Sequence, residues 1–162
     1  NNAMSKKIIK QGKWQRIFGF GKSYFFTIVT DHYQIVLSGG SVAVSDSRTG
    51  ERLFKKSGFN YLYTGDVSRD EHVLAALENG KHFYIFSLQN FELQKRVTLP
   101  RGYESIDGYP SFSVDGGELI VPVSIYRAGE YRYFLCRYET AAYNLFSMEQ
   151  IGYDKFPAWP VF

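Results

Sequence analysis

Three stretches of this 162-residue chain can be laid over one another, and that repetition limits the possible folds more than any single motif does. The first runs Thr30-Asp31-His32-Tyr33-Gln34-Ile35-Val36-Leu37, a glycine turn, Ser41-Val42-Ala43-Val44-Ser45-Asp46 and Thr49-Gly50-Glu51-Arg52-Leu53. The second runs Ser68-Arg69-Asp70-Glu71-His72-Val73-Leu74-Ala75-Ala76-Leu77, Asn79-Gly80, His82-Phe83-Tyr84-Ile85-Phe86-Ser87 and Phe91-Glu92-Leu93. The third runs Ser113-Val114-Asp115-Gly116-Gly117-Glu118-Leu119-Ile120-Val121, Ala128-Gly129, Tyr131-Arg132-Tyr133-Phe134-Leu135 and Ala142-Tyr143-Asn144-Leu145. Near the end, Trp159-Pro160-Val161-Phe162 follows the pattern of Tyr109-Pro110-Ser111-Phe112 and opens a fourth register. Each unit is ~40–50 residues long, enough for four short strands.

Inside each unit the apolar residues alternate with period two, the spacing of a half-buried strand. Strand-like runs cover 24–29, 33–37, 41–46, 51–56, 61–67, 72–77, 82–88, 92–99, 105–114, 118–126, 130–139 and 143–151. Aromatic residues make up 18% of the chain and, with β-branched residues, fill these runs, which suits a pleated surface. Turn chemistry separates many of them: Ser38-Gly39-Gly40, Asn79-Gly80, Asp115-Gly116-Gly117 and Ala128-Gly129. No window of a dozen residues carries a helical face. The expected class is therefore all-β and antiparallel.

At this point the sequence resembles the β-propeller family, of the WD-repeat-like or quinoprotein-like kind. The resemblance rests on a Ser-x-Asp-Gly turn before a second strand, here Ser113-Val114-Asp115-Gly116, and on an Asp-x-x-Thr-Gly-Glu turn before an outer strand, here Asp46-Ser47-Arg48-Thr49-Gly50-Glu51. The Gly-His and Trp-Asp dipeptides of strict WD repeats are absent, and the second unit has Gln89-Asn90 where the Asp-x-x-Thr-Gly turn is expected. The resemblance implies blades at about 24–57, 60–99 and 104–151, with the start of another at 156–162. Propellers close with ~4–8 blades, so this count implies an incomplete ring. Either the chain is part of a longer propeller, which the apolar end favours, or two copies complete one ring. A lipocalin-like barrel is the rival fold, suggested by Gly12-Lys13-Trp14 and the aromatic content, although such a barrel needs only ~8 strands.

Charge is unevenly distributed. Lys6, Lys7, Lys10, Lys13, Arg16 and Lys22 all precede the first acid, Asp31, leaving 13 basic against 16 acidic residues in the rest. Residues 4–23 thus read as a basic arm or edge strand ahead of the 24–162 body, and Asn1-Asn2-Ala3 as a cloning remnant. A basic arm can touch nucleic acid or anionic lipid, but the body lacks the interleaved basic and aromatic face of an RNA-binding sheet, so no nucleic-acid partner is expected. No apolar run approaches the ~20 residues of a membrane-spanning helix. No secretory leader is visible, and a cytoplasmic protein is expected.

Signatures of catalysis are weak. Gly21-Lys22-Ser23 resembles the tail of a phosphate loop, but Arg16 stands where its first glycine belongs and a strand follows it. His32, His72 and His82 lack metal-ligand spacing, no Gly-x-Ser-x-Gly elbow occurs, and Cys136 sits at an apolar strand position as a buried inert thiol. Asp107-Gly108 and Asp115-Gly116-Gly117 read as turns rather than calcium loops. No catalytic, metal or cofactor site is expected. The expected function is that of a non-catalytic binding or scaffold module, recognising a protein or ligand by rim loops 57–60, 100–105 and 152–155, which offer Tyr61, Arg101, Tyr103, Glu104, Tyr153 and Lys155. The alternatives are the propeller portion of a larger hydrolase- or lyase-type enzyme and a small-ligand barrel.

Overall fold

A computed structural model describes residues 5–11, 14–20 and 25–158. The stretches Asn1-Asn2-Ala3, Gly12-Lys13, Gly21-Lys22-Ser23 and Trp159-Pro160-Val161-Phe162 lie outside the described residues. The chain divides after Thr64 into two compact units.

The first unit holds one antiparallel sheet of six strands in sequence order: β1 (Ser5–Gln11), β2 (Trp14–Phe20), β3 (Phe25–Val29), β4 (Tyr33–Ser38), β5 (Ser41–Asp46) and β6 (Arg52–Lys56). Register turns the sequence alternation into cross-strand rows. Phe18 pairs with Phe26, Phe26 with Leu37 and Leu37 with Val42, and all four are buried. The Phe18 and Phe26 rings meet edge-on at 4.7 Å. The next row places Arg16 beside Ile28, Ile35 and Val44. Arg16, one of the six basic residues ahead of Asp31, is thus buried, as is Trp14.

A second sheet has the order β10-β9-β8-β7, built from β7 (Leu62–Val67), β8 (Val73–Glu78), β9 (His82–Ser87) and β10 (Leu93–Thr98). The third sheet is β11 (Ser111–Phe112), β12 (Glu118–Arg127), β13 (Glu130–Glu139) and β14 (Leu145–Ile151), followed by the short 3₁₀ turn Tyr153–Lys155. The chain is all-β and antiparallel. None of the three sheets closes into a barrel, which removes the barrel expectation: each ladder runs from one edge strand to another.

In the second unit, Leu74, Leu77, Phe83 and Ile85 of one sheet and Leu119, Val121, Val123 and Cys136 of the other are buried. Burying one such side chain contributes about 1.5–3 kcal/mol. Phe83 meets Tyr138 edge-on at 5.0 Å. Polar links tie the same two sheets: Phe112 N–H donates to Asp66 Oδ2 at 2.8 Å, and Gly80 and Ser105 exchange backbone hydrogen bonds at 3.1 and 2.7 Å.

The repeat is visible in two kinds of turn. Before the second strand of each repeat, a hydroxyl accepts a backbone N–H: Thr30 from Tyr33 (2.9 Å), Ser68 from Val73 (3.1 Å) and Ser113 from Glu118 (3.0 Å). Ser68 and Ser113 also donate to Asp70 and Asp115 at 2.7 and 2.8 Å. Before each outer strand, a side-chain oxygen caps two N–H groups. Asp46 takes Arg48 and Thr49 (2.8, 3.0 Å), Ser87 takes Gln89 and Asn90 (3.1, 3.2 Å), and Glu139 takes Ala142 and Tyr143 (2.6, 2.9 Å).

Candidate ligand-binding site

The β12–β13 hairpin builds the site. Its two-residue turn is Ala128-Gly129 with φ of 51° and 81°, the left-handed pair of a tight hairpin whose twist matches its strands. That turn fixes the register: Arg127 opposite Glu130, Tyr126 opposite Tyr131, Ser124 opposite Tyr133. Because side chains alternate, Leu119, Val121 and Val123 share one face with Cys136 and Tyr138, which are buried. Ser124, Tyr126, Tyr131 and Tyr133 share the other face.

Pro122 falls in the middle of β12, where a missing N–H normally breaks a ladder. Ser124 exchanges both backbone bonds with Glu104 at 2.9 Å, so the backbone groups of Pro122, two residues earlier, face the same way. On that side β11 pairs only at Ile120 and Leu119, and residues 105–110 leave the ladder. The proline lies in the gap. Gly108 packs over it: a Cβ there would come within 2.8 Å of both Pro122 Cγ and Phe156 Cζ. Gly108 also forms an antiparallel bridge with Ala158, and Tyr109 N–H donates to Pro157 O at 3.0 Å. These bonds pin the 106–109 loop to the segment that carries Tyr153 and Phe156.

The result is a cavity of about 260 Å³ lined by Ile106, Asp107, Ser124, Tyr131, Tyr133, Tyr153 and Phe156. Tyr133 is the hub. Its ring lies 4.9 Å from Tyr153, 5.1 Å from Phe156 and 6.5 Å from Tyr131. Tyr153 and Phe156 are near-parallel, 15° apart, and Tyr126 leans on Tyr131 at 4.9 Å. Tyr126, Tyr131 and Tyr153 are 61%, 58% and 60% exposed. Burial pushes the Tyr133 phenol up, and Tyr153, Tyr131 and the Asp107 carboxylate add to the shift. Asp107 is exposed and adopts φ 60°, a left-handed conformation that Asp tolerates better than most residues.

Of the six residues expected on rim loops, Tyr153 lines this cavity. Lys155 ends the same 3₁₀ turn and is exposed. Glu104 is joined to the hairpin through Ser124. Tyr103 packs edge-on against Phe134 at 5.3 Å, and Arg101 is exposed in the preceding turn. Tyr61 is 45% exposed and belongs to the first unit. Sequence reasoning missed Asp107, Tyr131, Tyr133 and Phe156. The hairpin carried a signal for two of them: an Ala-Gly turn with Tyr126 before it and Tyr131-x-Tyr133 after it sets a tyrosine row on one face.

A buried polar network forms a second cluster. Glu78, only 4% exposed, accepts hydrogen bonds from His82 Nδ1 (3.0 Å), Tyr84 OH (3.1 Å) and Lys81 N–H (3.3 Å). Arg96 Nη2 lies 2.8 Å from His82 Nε2. Arginine can only donate, so Nε2 accepts and Nδ1 carries the proton toward Glu78. The imidazole lone pair is therefore occupied. Burial opposes the charged Glu78 carboxyl, yet the hydrogen bonds from His82, Tyr84 and Lys81 outweigh it and hold the group below its ordinary range. Burial pushes the Cys136 thiol up to about 12. A second cavity, about 300 Å³, lies between the Ser68–Asp70 and Ser113–Asp115 turns, where one oxygen of each carboxylate already accepts bonds within its own turn. Among the described residues, no group of three or more His, Cys, Asp or Glu side chains could hold a metal ion.

No known family profile matches the chain, and no curated protein matches it. Solved structures do. Hydrazine synthase of Kuenenia stuttgartiensis superposes with a TM-score of 0.63 at 12% identity, over 84% of this chain and 46% of that one. Dihydro-heme d1 dehydrogenase NirN, solved in complex with DHE, superposes with a TM-score of 0.61 at 10% identity, over 94% of this chain and 38% of that one. Both are β-propeller proteins, and the likeness is one of fold. The chain spans less than half the length of either.

Proposed function

We propose that this chain is a non-catalytic recognition module of β-propeller type, and that it binds its ligand in the tyrosine-lined cavity at the end of the β12–β13 hairpin. The observation that carries this reading is the convergence of three parts of the chain, residues 106–107, the β12–β13 hairpin (Ser124, Tyr131 and Tyr133) and residues 153–156, on one cavity with exposed aromatic rings. Exposed tyrosines supply large, stiff contact area at low entropic cost. Ligand pockets run roughly 300–1,000 Å³, so a cavity of about 260 Å³ suits a small molecule or a single projecting side chain.

The test is a ligand panel followed by amide chemical shifts on the whole chain. A binder is expected to move the resonances of 106–108, 124, 131–133 and 153–156 as a set. Truncating Tyr153→Ala removes one ring contact of about 0.5–1.5 kcal/mol, or roughly two- to tenfold in affinity. Binding that perturbs other residues, or that survives Tyr153→Ala and Tyr131→Ala unchanged, overturns the reading.

A second reading is a propeller portion of a larger enzyme. It is supported by the names of the two solved proteins, both enzymes, and by the share of their length this chain spans. It predicts that Tyr153→Ala within a longer polypeptide alters turnover rather than binding alone.

A further inference from the structure

Resting on the reading of this cavity as a binding site, we propose that its ligand is an alkylammonium cation: a quaternary or methylated amine head group, held by the rings of Tyr131, Tyr133, Tyr153 and Phe156 with Asp107 as counter-charge. Aromatic rings carry negative potential on their faces, and a cation that sheds water against several of them is held electrostatically as well as by contact. Here four rings line one small cavity, and the single charged side chain among the lining residues is a carboxylate. Among the described residues Asp107 forms no ion pair or hydrogen bond, so its charge is available. Its field already reaches the site, since it helps to raise the Tyr133 phenol. The nearby Arg132 on β13 is turned toward Glu130 at 3.4 Å, and Lys155 is not a lining residue.

Other ligand classes fit less well. An anion would meet Asp107 and no basic partner. A sugar presents many hydroxyls, and each one buried without a partner weakens binding. Beyond the phenols the lining offers one carboxylate and the Ser124 hydroxyl. A methylated ammonium asks for rings and one negative charge, and both are present.

The test uses the full 162-residue chain, followed by amide and tyrosine-ring shifts, with three probes: choline, its neutral carbon isostere 3,3-dimethylbutan-1-ol, and methyl glucoside. Choline is expected to perturb Asp107, Tyr131, Tyr133 and Tyr153 and to bind at least about fivefold tighter than the isostere. Asp107→Asn, which keeps a residue able to hold the left-handed backbone, should weaken choline about two- to fivefold and leave the isostere unchanged. Tyr153→Leu keeps apolar bulk but removes a π face, and should weaken choline more than the isostere. Thermal melts of both variants establish that they fold. Equal binding of choline and isostere, or binding of the glucoside alone, overturns the cation and leaves the cavity a binding site. If none of the probes moves these resonances, the cation is again overturned, and a blank across the wider ligand panel overturns the binding site with it.

Discussion

A left-handed residue closes each outer turn, four positions after its capping oxygen, and the three repeats fill that position differently. Gly50 has φ 77°, Phe91 φ 58° and Tyr143 φ 60°. An L side chain in this region costs roughly 1–2 kcal/mol, so the second and third turns hold strain that the first avoids. Ala128 in the hairpin turn, at φ 51°, is strained in the same way, and its side chain is exposed. Ala128→Gly is therefore expected to raise stability by about 0.4–1 kcal/mol, read as a shift in denaturation midpoint with unchanged slope. A fall in the midpoint would contradict the assignment of strain. Glu78 sets a pH dependence. Its folded pKa lies below that of the unfolded chain, so its contribution is complete above the unfolded carboxylate range near ~4.3 and is lost as pH falls through the folded value. Glu78→Gln should cost about 1–3 kcal/mol at neutral pH and flatten the acid side of the stability profile. A parallel acid limb in wild type and variant would show that Glu78 does not drive it.

Among the elements, the strands were largely legible and the loop that makes the site was not. The alternation at 33–37 and 61–67 predicts what the structure has as β4 (Tyr33–Ser38) and β7 (Leu62–Val67). The run 105–114 also alternates, yet only Ser111–Phe112 is laddered there. Ser105 instead bonds to Gly80, Gly108 bridges to Ala158, Phe112 adds a bond to Asp66 beside its ladder, and Asp107 takes a left-handed turn. Period two records which face a residue shows; it does not record whether a neighbouring strand is present to pair. The cavity lies where that information is missing. Gly108→Ala should press on both Phe156 and Pro122 and reduce ligand affinity more than stability, measured by titration beside a melt; equal loss of both would make Gly108 a packing residue only. The outer edges also differ. β6 and β10 carry Arg52, Lys55, Lys56, Lys95 and Arg96, charges that discourage edge pairing, whereas β14 exposes Leu145, Phe146 and Met148. Phe146→Lys is expected to raise the concentration at which light scattering detects aggregation, with a stability change within about 0.5 kcal/mol; an unchanged threshold would clear β14.

For the whole molecule, Cys136 reports on integrity. It is fully buried, and burial pushes its thiol up to about 12, so the folded chain should resist a thiol reagent at mildly alkaline pH and label fully in denaturant. Rapid stoichiometric labelling of the folded chain would mean that the second unit opens readily. The three outer turns carry a consequence of another kind. The same structural task falls to Asp46, Ser87 and Glu139, and only two of these can be neutralised. Backbone N–H groups of Thr49 and Arg48 hold the Asp46 carboxyl below its ordinary value, and those of Ala142, Asn144 and Tyr143 do the same for Glu139. Each turn loses that support as pH falls through the lowered pKa. The hydroxyl of Ser87 has no proton to gain in that range. Acid thus breaks a symmetry that neutral solution conceals: protection of Arg48, Thr49, Ala142 and Tyr143 against amide exchange should decline together, while Gln89 and Asn90 keep theirs, and the three repeats, alike in shape, become unequal in endurance.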